Sequence, residues 1–241
     1  MNNLDFHIVG LGNLGSAFLK GLTNLDNNLT FHLYEKEPKI IESIKDKFNF
    51  DVKSEIDVIE SGILLLCIKP KDLNKFLDTN KDKISKDVLI CTVLAGVETA
   101  YISKFVGNKI IRLMPNLSIK NNNGFIPYTK TYKEDYLSFL ELLSGLGSIT
   151  EYDEELFHII TAIYGSGPAY IYLMIESLIK ISSKAGLNNS ENMVIQTFLG
   201  SLLLLISSSN NAKTLRENVT SPGGTTEAAL KILENKNGLS T

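Results

Sequence analysis

Gly10-Leu11-Gly12-Asn13-Leu14-Gly15 sets three glycines in G-x-G-x-x-G spacing, directly after the apolar run Phe6-His7-Ile8-Val9 and at the opening of an amphipathic stretch, Leu14 to Leu22. In that context the spacing has a chemical meaning. Gly10 permits a tight turn, Gly12 lets an anion approach the backbone, and Gly15 lets a helix pack closely on the strand. Free N–H groups at the start of that helix then face a pyrophosphate. The expected ligand is a dinucleotide; the plain alternative is a strand–helix turn that binds nothing. Glu35 lies twenty residues after Gly15, at the end of a second strand-like run, Thr30 to Tyr34. A carboxylate there accepts hydrogen bonds from both hydroxyls of an adenine ribose and repels a 2′-phosphate, which favours NAD over NADP. The adjacent Lys36 can answer a phosphate, so the preference is weak, and the bland alternative for Glu35 is a solvated charge.

Three further segments are too rich in Gly, Pro and small polar residues for routine linkers. They are Cys67-Ile68-Lys69-Pro70, Arg112-Leu113-Met114-Pro115-Asn116, and the run from Leu215 to Thr226 that contains Ser221-Pro222-Gly223-Gly224-Thr225-Thr226. Arg112 and Arg216, the chain's arginines, both fall in these segments, while every other basic residue is Lys. That placement suggests a geometric need for guanidinium. The sequence shows no Ser–His–Asp order, no P-loop Lys and no metal-ligand cluster; no metal is expected.

The elements that must position these residues follow from periodicity. Strands are expected at Phe6 to Val9, Thr30 to Tyr34, Gly62 to Ile68, Val88 to Val93 and Lys109 to Leu113, with helices from Leu14 to Leu22 and Lys39 to Phe48. Gly62 to Ile68 is apolar on both faces, as a central parallel strand covered on both sides must be. Strand–helix alternation predicts a doubly wound parallel sheet over residues 1–150, a Rossmann-type domain with its ligands at the strand C-terminal rim. Beyond that point, residues 151–241 read as helices: Glu154 to Tyr164, Pro168 to Ala185, Ser190 to Ser207 and Thr225 to Leu233. Gly165-Ser166-Gly167-Pro168 breaks the first from the second, as a tight corner, a pocket rim or both. Ala169-Tyr170-Ile171-Tyr172-Leu173-Met174-Ile175 is apolar all round, so that helix needs cover on every side. A second copy of the chain is the expected cover; a central helix buried within one subunit is the alternative. Asn121-Asn122-Asn123 reads as a loop.

Composition excludes several classes. The chain has 241 residues, 24 basic against 27 acidic side chains, and a net charge of −3. Basic residues are scattered, so a nucleic-acid binder is not expected. The longest apolar run, Phe198 to Ile206, is about half of the roughly 20 residues that a membrane-spanning helix needs. Met1-Asn2-Asn3-Leu4-Asp5 lacks the features of a signal peptide. Cys67 and Cys91 sit in apolar runs, and two buried thiols fit a reducing cytoplasm. His7 and His32 lie in expected strands and read as core or surface residues, and His158 is isolated from both.

Taken in order, the glycine turn, Lys69-Pro70, Ala95-Gly96, Met114-Pro115-Asn116, the run from Gly165 to Tyr170 and Ser221 to Thr226 closely resemble the Δ1-pyrroline-5-carboxylate reductase family over nearly the whole chain. The resemblance implies reduction of the C=N bond of 1-pyrroline-5-carboxylate by NAD(P)H to L-proline, the last step of proline synthesis. It implies a Rossmann domain followed by an all-helical dimerisation domain, with homodimers often assembled further. Cofactor contacts would fall on Gly10, Leu11, Gly12, Asn13, Leu14, Gly15, Glu35, Lys36, Cys67, Ile68, Lys69, Pro70, Val93, Leu94, Ala95 and Asn218. Substrate contacts would fall on Glu154, Thr225 and Thr226, with Ser221 and Gly224 shaping the pocket. Backbone N–H groups before the helix at Glu227 would bind the substrate carboxylate, and Thr226 Oγ would hydrogen-bond the ring nitrogen as the catalytic hydroxyl. Hydride transfer needs no nucleophile, which accounts for the missing acid–base cluster.

The chain departs from the family pattern at Leu117-Ser118, where Thr-Pro is usual, and at Ser209, where an acid is common. It also lacks an Asn near Lys53 to Ile56 and ends at Thr241, where the family continues into another helix. Two other readings stay open. One is another imine or hydroxyacid reductase of the same plan, although the Lys typical of hydroxyacid enzymes is absent from Ala169-Tyr170-Ile171-Tyr172 and Lys180 lies too far along. The other is a non-catalytic dinucleotide-binding protein, against which Thr226 and the glycines stand intact.

Overall fold

Ile63-Leu64-Leu65-Leu66 carries apolar side chains on both sides of the backbone, and only a strand covered on both faces buries all four. The computed structural model describes residues 4–25, 28–132 and 137–235 and places this segment at the centre of an eight-stranded sheet. The strands are β1 (Leu4–Val9), β2 (Leu29–Tyr34), β3 (Val52–Lys53), β4 (Ile63–Leu66), β5 (Leu89–Thr92), β6 (Ile110–Leu113), β7 (Gly124–Lys130) and β8 (Gly147–Glu151). Their order is β3-β2-β1-β4-β5-β6-β7-β8, with β1 to β6 parallel. The order reverses between β1 and β4, and that reversal opens a crevice at their C-terminal ends.

The doubly wound reading holds, with one extension that sequence missed. β7 pairs antiparallel with β6, and β8 pairs parallel with β7, so the last two strands run against the other six. Pro127 interrupts the pattern of an internal strand, and Gly147-Ser148-Ile149-Thr150-Glu151 has too few apolar residues to announce itself.

Helices α1 (Asn13–Thr23), α2 (Pro38–Phe48) and α5 (Leu137–Ser144) cover one face of the sheet. The other face is covered by α3 (Leu73–Asn80) and α4 (Thr99–Ile102). Along β4 the side chains alternate: Ile63 and Leu65 enter the first core, Leu64 and Leu66 the second. Each such burial contributes about 1.5–3 kcal/mol.

His7 and His32 pair across β1 and β2 with rings stacked at 4.4 Å. Burial, with help from the neighbouring His32, pushes the His7 pKa down to about 4, so the ring is a neutral core group at pH 7. Its Nδ1 sits 3.3 Å from the Tyr34 hydroxyl. Cys91 is buried within β5 and Cys67, just past β4, is partly buried; both thiols are free, and burial raises both pKa values.

After β8 the chain is helical: α6 (Phe157–Ile160), α7 (Gly167–Lys184), α8 (Ser190–Ser207), α9 (Ala212–Asn218) and α10 (Thr225–Asn235). α9 is short and was not read from sequence; Asn211 caps it, accepting from Thr214 N at 2.9 Å. By compactness the chain divides into residues 1–170 and 171–241, a division that falls inside α7. Phe198 to Ile206 forms the C-terminal half of α8, and among the described residues α8 is one helix long and apolar enough to cross a bilayer by length and composition. Leu199, Leu202, Leu203, Leu204 and Ile206 of α8 are exposed, as are Tyr172 and Leu173 of α7. The segments around Met1 and around Gly238 and Thr241 lie outside the described residues.

Candidate functional site

In the first unit, the loops after β1, β2, β4, β5 and β6 leave the same rim of the sheet. The glycine turn is dictated atom by atom. Gly10 has φ +90°, and a Cβ there would lie 2.8 Å from the Cys67 carbonyl oxygen. A Cβ on Gly15 would overlap the Gly10 carbonyl, so α1 packs this closely only with glycine. Gly12 differs: its φ is −60°, and a Cβ would meet nothing within 4 Å. α1 starts beside that open space with no side-chain cap and no acid in its first turn. Its first amides therefore have no intrahelical partner and carry the positive end of the helix dipole. The donors and the room suit a pyrophosphate.

Glu35 stands at the end of β2, and its carboxylate is fixed. Oε2 accepts from Leu11 N at 2.7 Å, while Oε1 accepts from Lys36 N at 2.7 Å and Glu37 N at 3.0 Å. The side chain thus ties the second loop to the glycine turn, an arrangement that sequence did not reveal. Lys36 is exposed. The Cys67 amide donates to Val9 O at 2.8 Å, which holds the Cys67-Ile68-Lys69-Pro70 loop against the glycine turn. The Val93-Leu94-Ala95 loop follows β5 and turns at Gly96, φ +72°. An open cleft of about 370 Å³ flanks these two loops, with Pro70, Lys71 and Asn74 on one wall and Gly96, Glu98 and Tyr101 on the other.

Arg112 and Glu154 meet across 42 residues, with Arg112 Nη1 at 2.8 Å from Glu154 Oε1. The Thr99 backbone N–H and hydroxyl donate to the same carboxylate at 2.8 and 2.6 Å. Burial opposes the charge on Glu154, but the hydrogen bonds from Thr99 and Arg112 prevail and hold its pKa below the ordinary value. Thr99 had no signal in the sequence, because its partner lies 55 residues away. Asn116 accepts from Ser118 N at 3.0 Å and donates to the Tyr164 carbonyl at 3.2 Å. The Met114-Pro115-Asn116 loop is thereby fastened to Thr161–Gly165, a single π-helical turn of the kind common at functional sites. The Gly165-Ser166-Gly167-Pro168 break is the corner where that turn passes into α7.

In the second unit, Ser221 to Thr226 forms a tight turn that opens α10. Gly224 N donates to Ser221 O at 3.0 Å, and Gly223 has φ +73°. Glu227 Oε2 accepts from Gly223 N at 2.8 Å, and that bond, with Lys231 nearby, holds the Glu227 pKa down. The amides of Thr225 and Thr226, in the first turn of α10, have no partner one turn earlier in the helix. Thr226 is half-buried and Thr225 exposed; Asn218 ends α9 and is exposed. Arg216 bridges α9 to α10 through Glu234 at 3.3 Å, an exposed pair of modest worth.

Residues 154–241 match a family model described as pyrroline-5-carboxylate reductase dimerisation, and residues 5–96 match one described as NADP oxidoreductase, coenzyme F420-dependent. The chain is 34% identical to pyrroline-5-carboxylate reductase 2 of Bacillus subtilis, an alignment that covers 94% of this chain and 85% of the relative. It is 28% identical to the pyrroline-5-carboxylate reductase of Methanosarcina acetivorans, covering 97% and 91%. Among solved structures, Plasmodium falciparum pyrroline carboxylate reductase with NADP bound superposes with a TM-score of 0.84 at 29% identity, covering 98% of this chain and 91% of that one. The 1-pyrroline-5-carboxylate reductase of Streptococcus pyogenes gives 0.85 at 26%, covering 98% and 93%.

Proposed function

The chain belongs to the pyrroline-5-carboxylate reductase family, and from that premise we propose the roles of its residues in reducing the C=N bond of 1-pyrroline-5-carboxylate to L-proline with NAD(P)H. The observation that carries the reading is likeness spanning both units, 34% identity over 94% of the chain. The reduced nicotinamide supplies the hydride. Gly12 and the first amides of α1 hold the pyrophosphate, and Glu35 receives the adenine ribose. Cys67 to Pro70 and Val93 to Ala95 orient the nicotinamide end.

The Thr225 and Thr226 amides bind the substrate carboxylate within the turn shaped by Ser221 and Gly224. Thr226 Oγ–H donates to the ring nitrogen. As hydride joins the imine carbon, the C=N π electrons move to nitrogen, which takes the Thr226 hydroxyl proton while water returns a proton to Thr226 Oγ. Rate comes from orienting the imine and from the Thr226 hydroxyl favouring a polarised C=N bond.

NADH is the preferred cofactor in this proposal: three backbone amides hold the Glu35 carboxylate just after β2, and an acid at that position of such a fold favours a free ribose over a 2′-phosphate. Initial rates measured with both cofactors test the preference. NADH should lead in kcat/KM by about tenfold, roughly 1.4 kcal/mol, and Glu35→Ser should narrow the gap. A strong NADPH preference in the parent contradicts this role for Glu35.

The working form in this proposal is a homodimer or an assembly of dimers. The exposed apolar side chains of α7 and α8 form more apolar surface than a lone soluble chain carries comfortably, and a second copy covers it. Light scattering at micromolar concentration should give at least twice the chain's 26.7 kDa; a monomeric mass refutes the dimer.

A further inference from the structure

One carboxylate gathers three donors that neither the glycine turn nor the Ser221–Thr226 turn uses. Glu154 Oε1 accepts from Thr99 N and Arg112 Nη1, and Oε2 accepts from Thr99 Oγ1. Thr99 opens α4, and the residue before it, Glu98, supplies no side-chain cap. Glu154 therefore caps α4 from a distance in sequence. α4 begins three residues after Gly96, so this cap fastens the far end of the loop that follows β5. The near end is already held, because Val93 N donates to Leu66 O at 3.3 Å.

The same carboxylate neutralises Arg112, whose side chain is only 3% exposed and whose guanidinium lies 4.7 Å over the Phe157 ring. A buried guanidinium stripped of its counter-charge is strongly destabilising, so Glu154 is held where it is. Both of its oxygens are engaged inside the first unit.

We infer that Glu154 is a positioning residue for the nicotinamide cofactor, acting through Thr99 on the 93–98 loop, and is not a substrate contact. This rests on the proposed reading of that loop as part of the cofactor site. The hydroxyl of Thr99 gives a clean probe, because removing it cuts one bond and leaves the Arg112–Glu154 pair intact.

Thr99→Val, Thr99→Ser and Glu154→Gln, made in the full chain, test the inference by two readouts without substrate. Amide hydrogen exchange over residues 93–98 is followed in the cofactor-free protein, and NADH affinity is measured by cofactor fluorescence. Thr99→Val should speed exchange in the loop and weaken NADH about tenfold, the effect of one lost charge-assisted hydrogen bond. Thr99→Ser should restore both, and Glu154→Gln should shift both further. In steady state the KM for 1-pyrroline-5-carboxylate should stay within about twofold of the parent at saturating NADH. Unchanged NADH affinity and exchange in Thr99→Val overturns the inference, as does a Glu154→Gln protein that loses only affinity for the pyrroline carboxylate. If Glu154→Gln does not fold, the Thr99 pair decides alone. A parent chain that binds NADH but reduces nothing would defeat the proposed reduction, and the binding and exchange data would still decide the role of Glu154.

Discussion

Gly12→Val folds as the parent does and binds NADH at least about a hundredfold more weakly: that is the result expected from the glycine turn. The backbone of Gly12 is extended, with φ −60°, so an L-residue is accommodated without strain. No atom lies within 4 Å of where its Cβ would stand, so the melting temperature should hardly move. In the proposed site that space receives the pyrophosphate. A valine side chain would fill it and hold the phosphates off the first amides of α1. Charge-assisted hydrogen bonds are worth about 1.5–3 kcal/mol each, and losing two accounts for a hundredfold or more. Gly15→Ala is the informative contrast. Its methyl group would overlap the Gly10 carbonyl, so α1 must shift from the strand and the melting temperature falls together with affinity. Thermal melts and NADH titration, run on both variants, separate the two cases. A Gly12→Val protein that binds NADH like the parent would show that the dinucleotide lies elsewhere.

Thr226→Ala should lower kcat by about a hundredfold, within the range for a lost proton donor or transition-state hydrogen bond. Affinity for NADH should be unchanged. The start of α10 survives the substitution, because the turn is held by Gly224 N to Ser221 O and by Glu227 on Gly223, neither of which uses the Thr226 hydroxyl. Alanine is also a better helix former than threonine. The loss therefore belongs to the hydroxyl itself, and Thr226→Ser should recover most of it. Single-turnover rates would show whether the chemical step is what slows. A fall of less than about threefold would remove Thr226 from the reacting group.

What the sequence disclosed and what it withheld divide along a physical line. β4 was legible because a central parallel strand is apolar on both faces, β1, β2, β5 and β6 because they are short, largely apolar runs, and α7 and α8 because they are long. β7 and β8 were not, since Pro127 breaks the pattern of one and the other is a polar edge strand. The π turn at Thr161–Gly165 and the short α9 leave no periodic trace.

The glycine turn was readable because its three glycines lie within six residues, at the junction of a strand and a helix. The fixing of Glu35 by Leu11 is a contact across 24 residues, and the capping of Thr99 by Glu154 spans 55. Arg112 stood out in sequence as one of two arginines, yet its buried pairing with Glu154 appears only when β6 and the start of the helical segment are brought together. Arg216, marked out by the same argument, forms only an exposed surface pair.

As a member of the pyrroline-5-carboxylate reductase family, this chain reduces a cyclic imine with a nicotinamide cofactor. The most direct measurement mixes the purified chain with 1-pyrroline-5-carboxylate and either NADH or NADPH. It follows the absorbance of the reduced nicotinamide alongside the L-proline formed. One reduced cofactor should be consumed for each L-proline formed, and none when the pyrroline carboxylate is left out. Failure to oxidise either cofactor in its presence would contradict this activity.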